Sequence, residues 1–118
     1  MLGEEQGLVV PEPDQSFTAV VVDQDDMSTE VSDFTCDGWT YFLGTRGKTE
    51  FSVGFERIES ARFFWEPPKV RGDFALKDGQ NLSLMLEPET PCLGKSRYGA
   101  VRVKVRDLKT LTLSGPNP

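Results

Sequence analysis

Apolar and polar residues alternate through Phe51, Val53 and Phe55, and the phase then jumps by three to Ile58 before Ala61 and Phe63 carry it on. Period-two alternation specifies a half-buried strand. The jump predicts a tight turn at Glu56-Arg57 that aims the next apolar residue inward before a second strand starts near Ala61. The same figure recurs through Val101, Val103 and Val105, a turn at Arg106-Asp107, and Leu108, Leu111 and Leu113. Written one above the other, "FLGTRGKTEFSVGFERIESARF" (42–63) and "CLGKSRYGAVRVKVRDLKTLTL" (92–113) align without a gap at a constant offset of fifty positions. Leu43-Gly44 matches Leu93-Gly94 by identity. Apolar positions are kept while polar ones drift, as expected if core faces are constrained and wet faces are not.

Upstream of each two-strand corner lies another pair of strand-like runs. In the second copy it is "GDFALKDGQNLSLMLE", where Asp78-Gly79 between Phe74, Leu76 and Leu82, Leu84, Leu86 is a strong hairpin signal. In the first it is "SFTAVVVD" and a weaker run through Thr29 to Phe34, joined by the polar turn Asp23 to Asp26. "EPPKVRG", Glu66 to Gly72, reads as a short stiff connector between copies. Neither copy is large enough to bury its apolar face alone. The expectation is therefore an all-β fold, a single β-sandwich or flattened barrel of about eight strands, built from two structural repeats with approximate two-fold internal symmetry. Residues 1–118 then form one domain, with repeat one over about 16–65, repeat two over about 72–113, and frayed ends at 1–15 and 114–118.

Composition agrees with strands. Eight Phe, two Trp and two Tyr, with plentiful Val and Leu, favour β structure over helix. A net charge of −6 argues against nucleic-acid binding, which needs clustered bases to neutralise phosphates. The charge is uneven. Ten acids precede Arg46 with no base among them, and from Arg46 onward thirteen bases face the remaining nine of the nineteen acids. No apolar run is long enough to span a membrane as a helix. "MLGEEQGLVVPEP" lacks the pattern of a signal peptide, and a start of this kind fits the mature form of an exported protein.

The absence of histidine removes the usual nucleophile–base pairs and imidazole metal sites, and neither cysteine lies in a CxxC. No phosphate-binding or nucleophile-elbow motif is present, so no catalytic residue, metal ligand or cofactor is assigned. "DQDDMSTE", Asp23 to Glu30, has calcium-like carboxylates but lacks the glycine of an EF-hand loop and reads better as a hairpin turn. Arg71-Gly72-Asp73 spells an adhesion tripeptide, yet it stands at a strand start. Cys36 and Cys92 permit one disulfide or two free buried thiols, the compartment deciding.

Two surface candidates remain. Trp39 and Tyr41 lie in "SDFTCDGWTY", where the copies diverge, and could stack on a sugar or clasp a peptide, or else cap the core. Arg102, Lys104 and Arg106 fall on one strand face about 7 Å apart, opposite the valines. Six bases stand within fifteen residues against Asp107 alone. Their equivalents Ser52, Gly54 and Glu56 are not basic, so the fold does not require the stripe; it reads as an anion-binding ridge or as edge-strand protection.

The tandem "FSVGFERIESARF" and "VRVKVRDLKTLTL" resembles small bacterial duplicated-β proteins of uncharacterised function, in which a strand, a tight turn and an Ile-x-x-Ile-x-Phe strand recur. The resemblance covers the two corners, implies a bacterial origin and an exported, non-enzymatic module, and supplies no site residues. The resulting expectation is a non-catalytic β module that binds a protein or polymer in a bacterial cell envelope, periplasmic or secreted. The alternatives are carbohydrate or anion binding through the aromatic loop and the basic face, and a cytoplasmic accessory protein.

Overall fold

A computed structural model describes residues 7–118. It contains ten strands: β1 (Ser16–Asp23), β2 (Ser28–Cys36), β3 (Tyr41–Arg46), β4 (Thr49–Gly54), β5 (Ile58–Glu66), β6 (Lys69–Leu76), β7 (Asn81–Leu86), β8 (Pro91–Ser96), β9 (Gly99–Lys104) and β10 (Leu108–Asn117). They form one antiparallel sheet in the order β4-β3-β7-β6-β5-β10-β1-β2-β8-β9, curled into a half-barrel. Among the described residues the only helical segments are two 3-10 turns, Phe55–Arg57 and Val105–Asp107. They sit where the alternation jumps phase, and they send the chain into β5 and β10.

Three expectations are corrected. The strands number ten and not about eight, because Tyr41–Arg46 and Pro91–Ser96 are strands in their own right. Their alternation was hidden by Gly44 and Gly94, which occupy inward positions without a side chain. Next, the sheet is continuous and not two facing layers: Arg62↔Thr110, Ala61↔Leu111 and Ser60↔Thr112 join β5 to β10 across its middle. Finally, the C-terminus does not fray at Ser114, since β10 runs on through Ser114 opposite Thr18 to Asn117 opposite Ser16. Residues 7–15 carry no strand, and the first six of the expected frayed end lie outside the described residues.

The connector is tighter than a linker. Pro67-Pro68, a cis peptide, is the whole turn between Glu66 and Lys69, which pair directly. Asp78-Gly79 turns the next hairpin, with Gly79 alone at positive φ (91°) and the Leu76 amide donating to the Gln80 carbonyl. At the polar turn after β1, the Asp23 carboxylate accepts from the Asp25 and Met27 amides.

Strand neighbours show how the halves of the chain share one sheet. The β1–β2 hairpin lies between β10 and β8, and the β6–β7 hairpin between β5 and β3. Each five-strand half of the sheet thus combines a hairpin from one half of the chain with three strands from the other, so neither half of the chain completes its ladders alone. The core follows this exchange. Phe55, fully buried in the first corner, meets Phe17 of β1 edge-on at 5.6 Å, Phe34 of β2 at 5.7 Å and Phe42 of β3 at 5.3 Å. Phe42 and Phe63 extend the cluster to Phe74. Aromatic pairs at these separations add about 0.5–1.5 kcal/mol each beyond their burial.

Candidate functional site

The aromatic segment starts where β2 ends. Asp37 (φ 55°) and Gly38 (φ 80°) both take left-handed conformations, as a two-residue hairpin turn with matching twist demands. Cys36 and Trp39 close that turn with reciprocal amide–carbonyl bonds of 2.9 and 3.0 Å. Trp39 is thereby thrown outward, 56% exposed, and stacks on Tyr41 with ring centres 5.6 Å apart and planes at 21°. Leu43, equally exposed, follows two residues along β3 on the same face. Gly54 stands opposite Tyr41 on β4 and offers no side chain to cover it. A pocket of about 160 Å³ opens beside the rings, lined among others by Asp37, Leu86, Glu87, Thr90 and Val105.

Behind the rings, Cys36 and Cys92 face each other across β2 and β8 and are joined as a disulfide. The bridge ties the end of β2 to the start of β8. The Asp37 amide donates to Pro91 O at 2.7 Å, and Pro91 in turn pairs with Lys104 on β9. The aromatic turn and the basic residues therefore share one end of the sheet, a single strand apart.

The basic stripe is not the straight ridge that alternation predicts. Arg102 and Lys104 lie on β9, but the strand ends there and Arg106 falls in the 3-10 turn. One exposed carboxylate, Glu89, accepts from both Lys104 Nζ and Arg106, each at 2.7 Å. These bonds, Lys104's first and then Arg106's, hold the Glu89 carboxyl below its ordinary pKa. The Arg106 guanidinium also lies 5.1 Å above the Trp65 ring, a cation–π geometry. Arg102 makes no ion pair among the described residues. The stripe thus divides into a clamped pair and one uncommitted guanidinium.

Glu89 and Trp65 escaped the sequence reading. Each is remote along the chain from the bases it meets, and only the turn before Pro91 and the end of β5 bring them together. Arg71-Gly72-Asp73 lies within β6, not in a loop. Gly72 is buried against Leu86, whose Cδ1 would lie 2.9 Å from an added Cβ. Arg71 bonds Asp73 and Glu66 and covers Phe64 at 4.6 Å. The Asp73 hydrogen bond foremost, with Glu66 assisting, raises the guanidinium pKa. The tripeptide is spent on internal contacts.

No curated protein and no solved structure matches this chain. A family model described as "Uncharacterised protein" matches residues 13–115, a span from just before β1 to Gly115 within β10. The match covers all ten strands except the last residues of β10, and the chain belongs to this uncharacterised protein family.

Proposed function

We propose that this protein is a non-catalytic β module of a bacterial cell envelope that binds a protein or polymer through the surface formed by Trp39, Tyr41 and Leu43. The observation that carries the reading is the exposed stack of Trp39 on Tyr41. A buried pair would be explained by packing; a half-exposed indole held flat on a phenol by a disulfide-backed turn leaves apolar area in water that a ligand can cover. Flat ring faces suit the C–H faces of sugar rings. Asp37, Glu87 and Thr90 at the pocket rim supply acceptors and a hydroxyl for the polar edges.

The disulfide supports an oxidising compartment, periplasmic or secreted, because such bonds persist there and not in a reducing cytoplasm. The strand order supports the finer reading of the fold as two structural repeats with an approximate two-fold relation. Counted inward from either end of the sheet, β4 corresponds to β9, β3 to β8, β7 to β2, β6 to β1 and β5 to β10. A second reading, anion binding at the basic face, is favoured only at Arg102, since Lys104 and Arg106 already engage Glu89.

The test is co-sedimentation with purified peptidoglycan sacculi, alongside tryptophan fluorescence against a panel of neutral and acidic envelope glycans. Trp39→Ala serves as the matched variant and Trp65 as its remaining fluorophore. Retention of the wild type and loss of Trp39→Ala supports the reading. If no polymer binds the wild type, or the variant binds equally well, the polymer surface is not at Trp39.

A further inference from the structure

Strand β9 ends the sheet, so among the described residues one of its backbone edges meets no neighbouring strand. The ladder tells which groups point outward. The Val105 amide donates to Thr90 O at 2.9 Å, and the register continues with Cys92↔Val103 and Gly94↔Val101. Bonded and non-bonded pairs alternate in an antiparallel ladder, so the N–H and C=O groups of Ala100, Arg102 and Lys104 face away from β8.

Under this edge, between β9 and the β1–β2 hairpin, lies a groove of about 220 Å³ walled mainly by Val21, Met27, Val31, Val101 and Val103, with the Asp23 carboxylate also lining it. The other half of the sheet carries larger side chains at the corresponding places. Phe51 stands for Val101 at the fifty-residue offset, and the rung Phe74↔Leu82 stands for Val21↔Thr29. The groove is therefore a property of the second half and not a requirement of the backbone. At its rim Arg102 has no ion pair among the described residues.

The geometry points to β9 as a docking edge for an extended strand of a partner protein, with apolar residues at alternate positions entering the groove and an acidic one between them beside Arg102. Unpaired backbone donors and acceptors repeating along an edge are matched by another strand, and the apolar wall and the Arg102 guanidinium fix its side-chain pattern. A second β9 is a poor occupant, because antiparallel self-pairing centred on Arg102 or Val103 sets Arg102 opposite Arg102 or Lys104 of the other copy, and like charges directly opposite are destabilising. None of Trp39, Tyr41 and Leu43 takes part, so this edge is independent of the polymer-binding surface.

The test titrates the whole chain with the capped heptapeptide Glu-Val-Glu-Val-Glu-Val-Glu and its Lys-for-Glu counterpart, reading amide hydrogen exchange by NMR. The acidic peptide should slow exchange at Ala100, Arg102 and Lys104 and bind at least about tenfold more tightly than the lysine peptide at low salt. Ala100→Pro deletes an outward N–H without touching the ladder to β8, and Val101→Phe fills the groove as in the other half. Both should stay folded by circular dichroism and lose the peptide, while Trp39→Ala keeps it. Unchanged exchange along β9 overturns the proposal, as does full binding by both folded β9 variants. Concentration-dependent self-association abolished by Ala100→Pro, with no response to either peptide, overturns it in favour of a second copy.

Discussion

Gly94 is the position where adding one carbon should cost most. Opposite it, β2 is bulged: Ser32 pairs with Lys95 and Thr35 with Leu93, so Asp33 and Phe34 together face Gly94, with Asp33 at φ 50°. A Cβ on Gly94 would lie 2.1 Å from Val31 Cγ1 and 2.7 Å from the Ser32 carbonyl oxygen, where carbon contacts are comfortable only at about 3.5–4.0 Å. Val31 is buried and β-branched, with little rotamer freedom, and the carbonyl belongs to the strand itself. Relief therefore means moving β2 away from β8. Overpacking of this kind costs about 1–3 kcal/mol, and the lower entropy of an unfolded alanine chain returns about 0.4–1 kcal/mol. Gly94→Ala should thus lose about 1–2 kcal/mol, read as a lower urea midpoint at unchanged slope. Its counterpart Gly44 faces the Leu84 Cβ and the Met85 carbonyl oxygen, both at 2.9 Å. Gly44→Ala should lose a similar amount, and the double variant should be additive because the two sites lie in opposite halves of the sheet. A Gly94→Ala protein within about 0.5 kcal/mol of wild type would refute the close approach of β2 and β8.

Replacing Cys36 and Cys92 together by alanine opens a loop with a sequence separation of 56. The chain-entropy estimate is a loss of about 4 kcal/mol, or about 15 °C in calorimetric Tm for a domain of this size; a shift under about 5 °C would contradict it. Thr35 is fully buried and its Oγ1 has no hydrogen-bond partner among the described residues, so Thr35→Val, which keeps the shape, should raise the urea-derived stability by about 1 kcal/mol, and a loss of stability would refute the unpaired hydroxyl. Glu89 titrates below its ordinary range in the fold. Its contribution is therefore complete above the unfolded pKa and is lost as pH falls through the lowered folded value. Glu89→Gln should leave melting unchanged in its pH trend near neutrality apart from a constant offset and flatten the acid limb; an identical acid limb in both proteins would exclude the Lys104–Glu89–Arg106 clamp.

Much of the framework can be read directly from residue order. The fifty-residue recurrence of inward residues locates both corners, because a chain with one apolar face must jump phase to keep that face inward, and Phe55–Arg57 and Val105–Asp107 do so. The hairpin at Gly79 is equally local, since one left-handed residue determines it. Two strands were obscured because Gly44 and Gly94 present no apolar side chain where the alternation needs one. The glycines are required by the approach of β7 and β2, which no local pattern reveals.

Alternation states which face a residue takes, not which strand lies beside it. The exchange of the β1–β2 and β6–β7 hairpins, the central pairing of β5 with β10 and the disulfide between β2 and β8 all depend on contacts between distant parts of the chain. The basic stripe shows the same division. Composition alone supplies the charges. Only the fold brings Glu89 to Lys104 and Arg106, sets Arg106 on Trp65, and leaves Arg102 without an ion pair among the described residues, because side-chain electrostatics are decided by proximity in space rather than order along the chain.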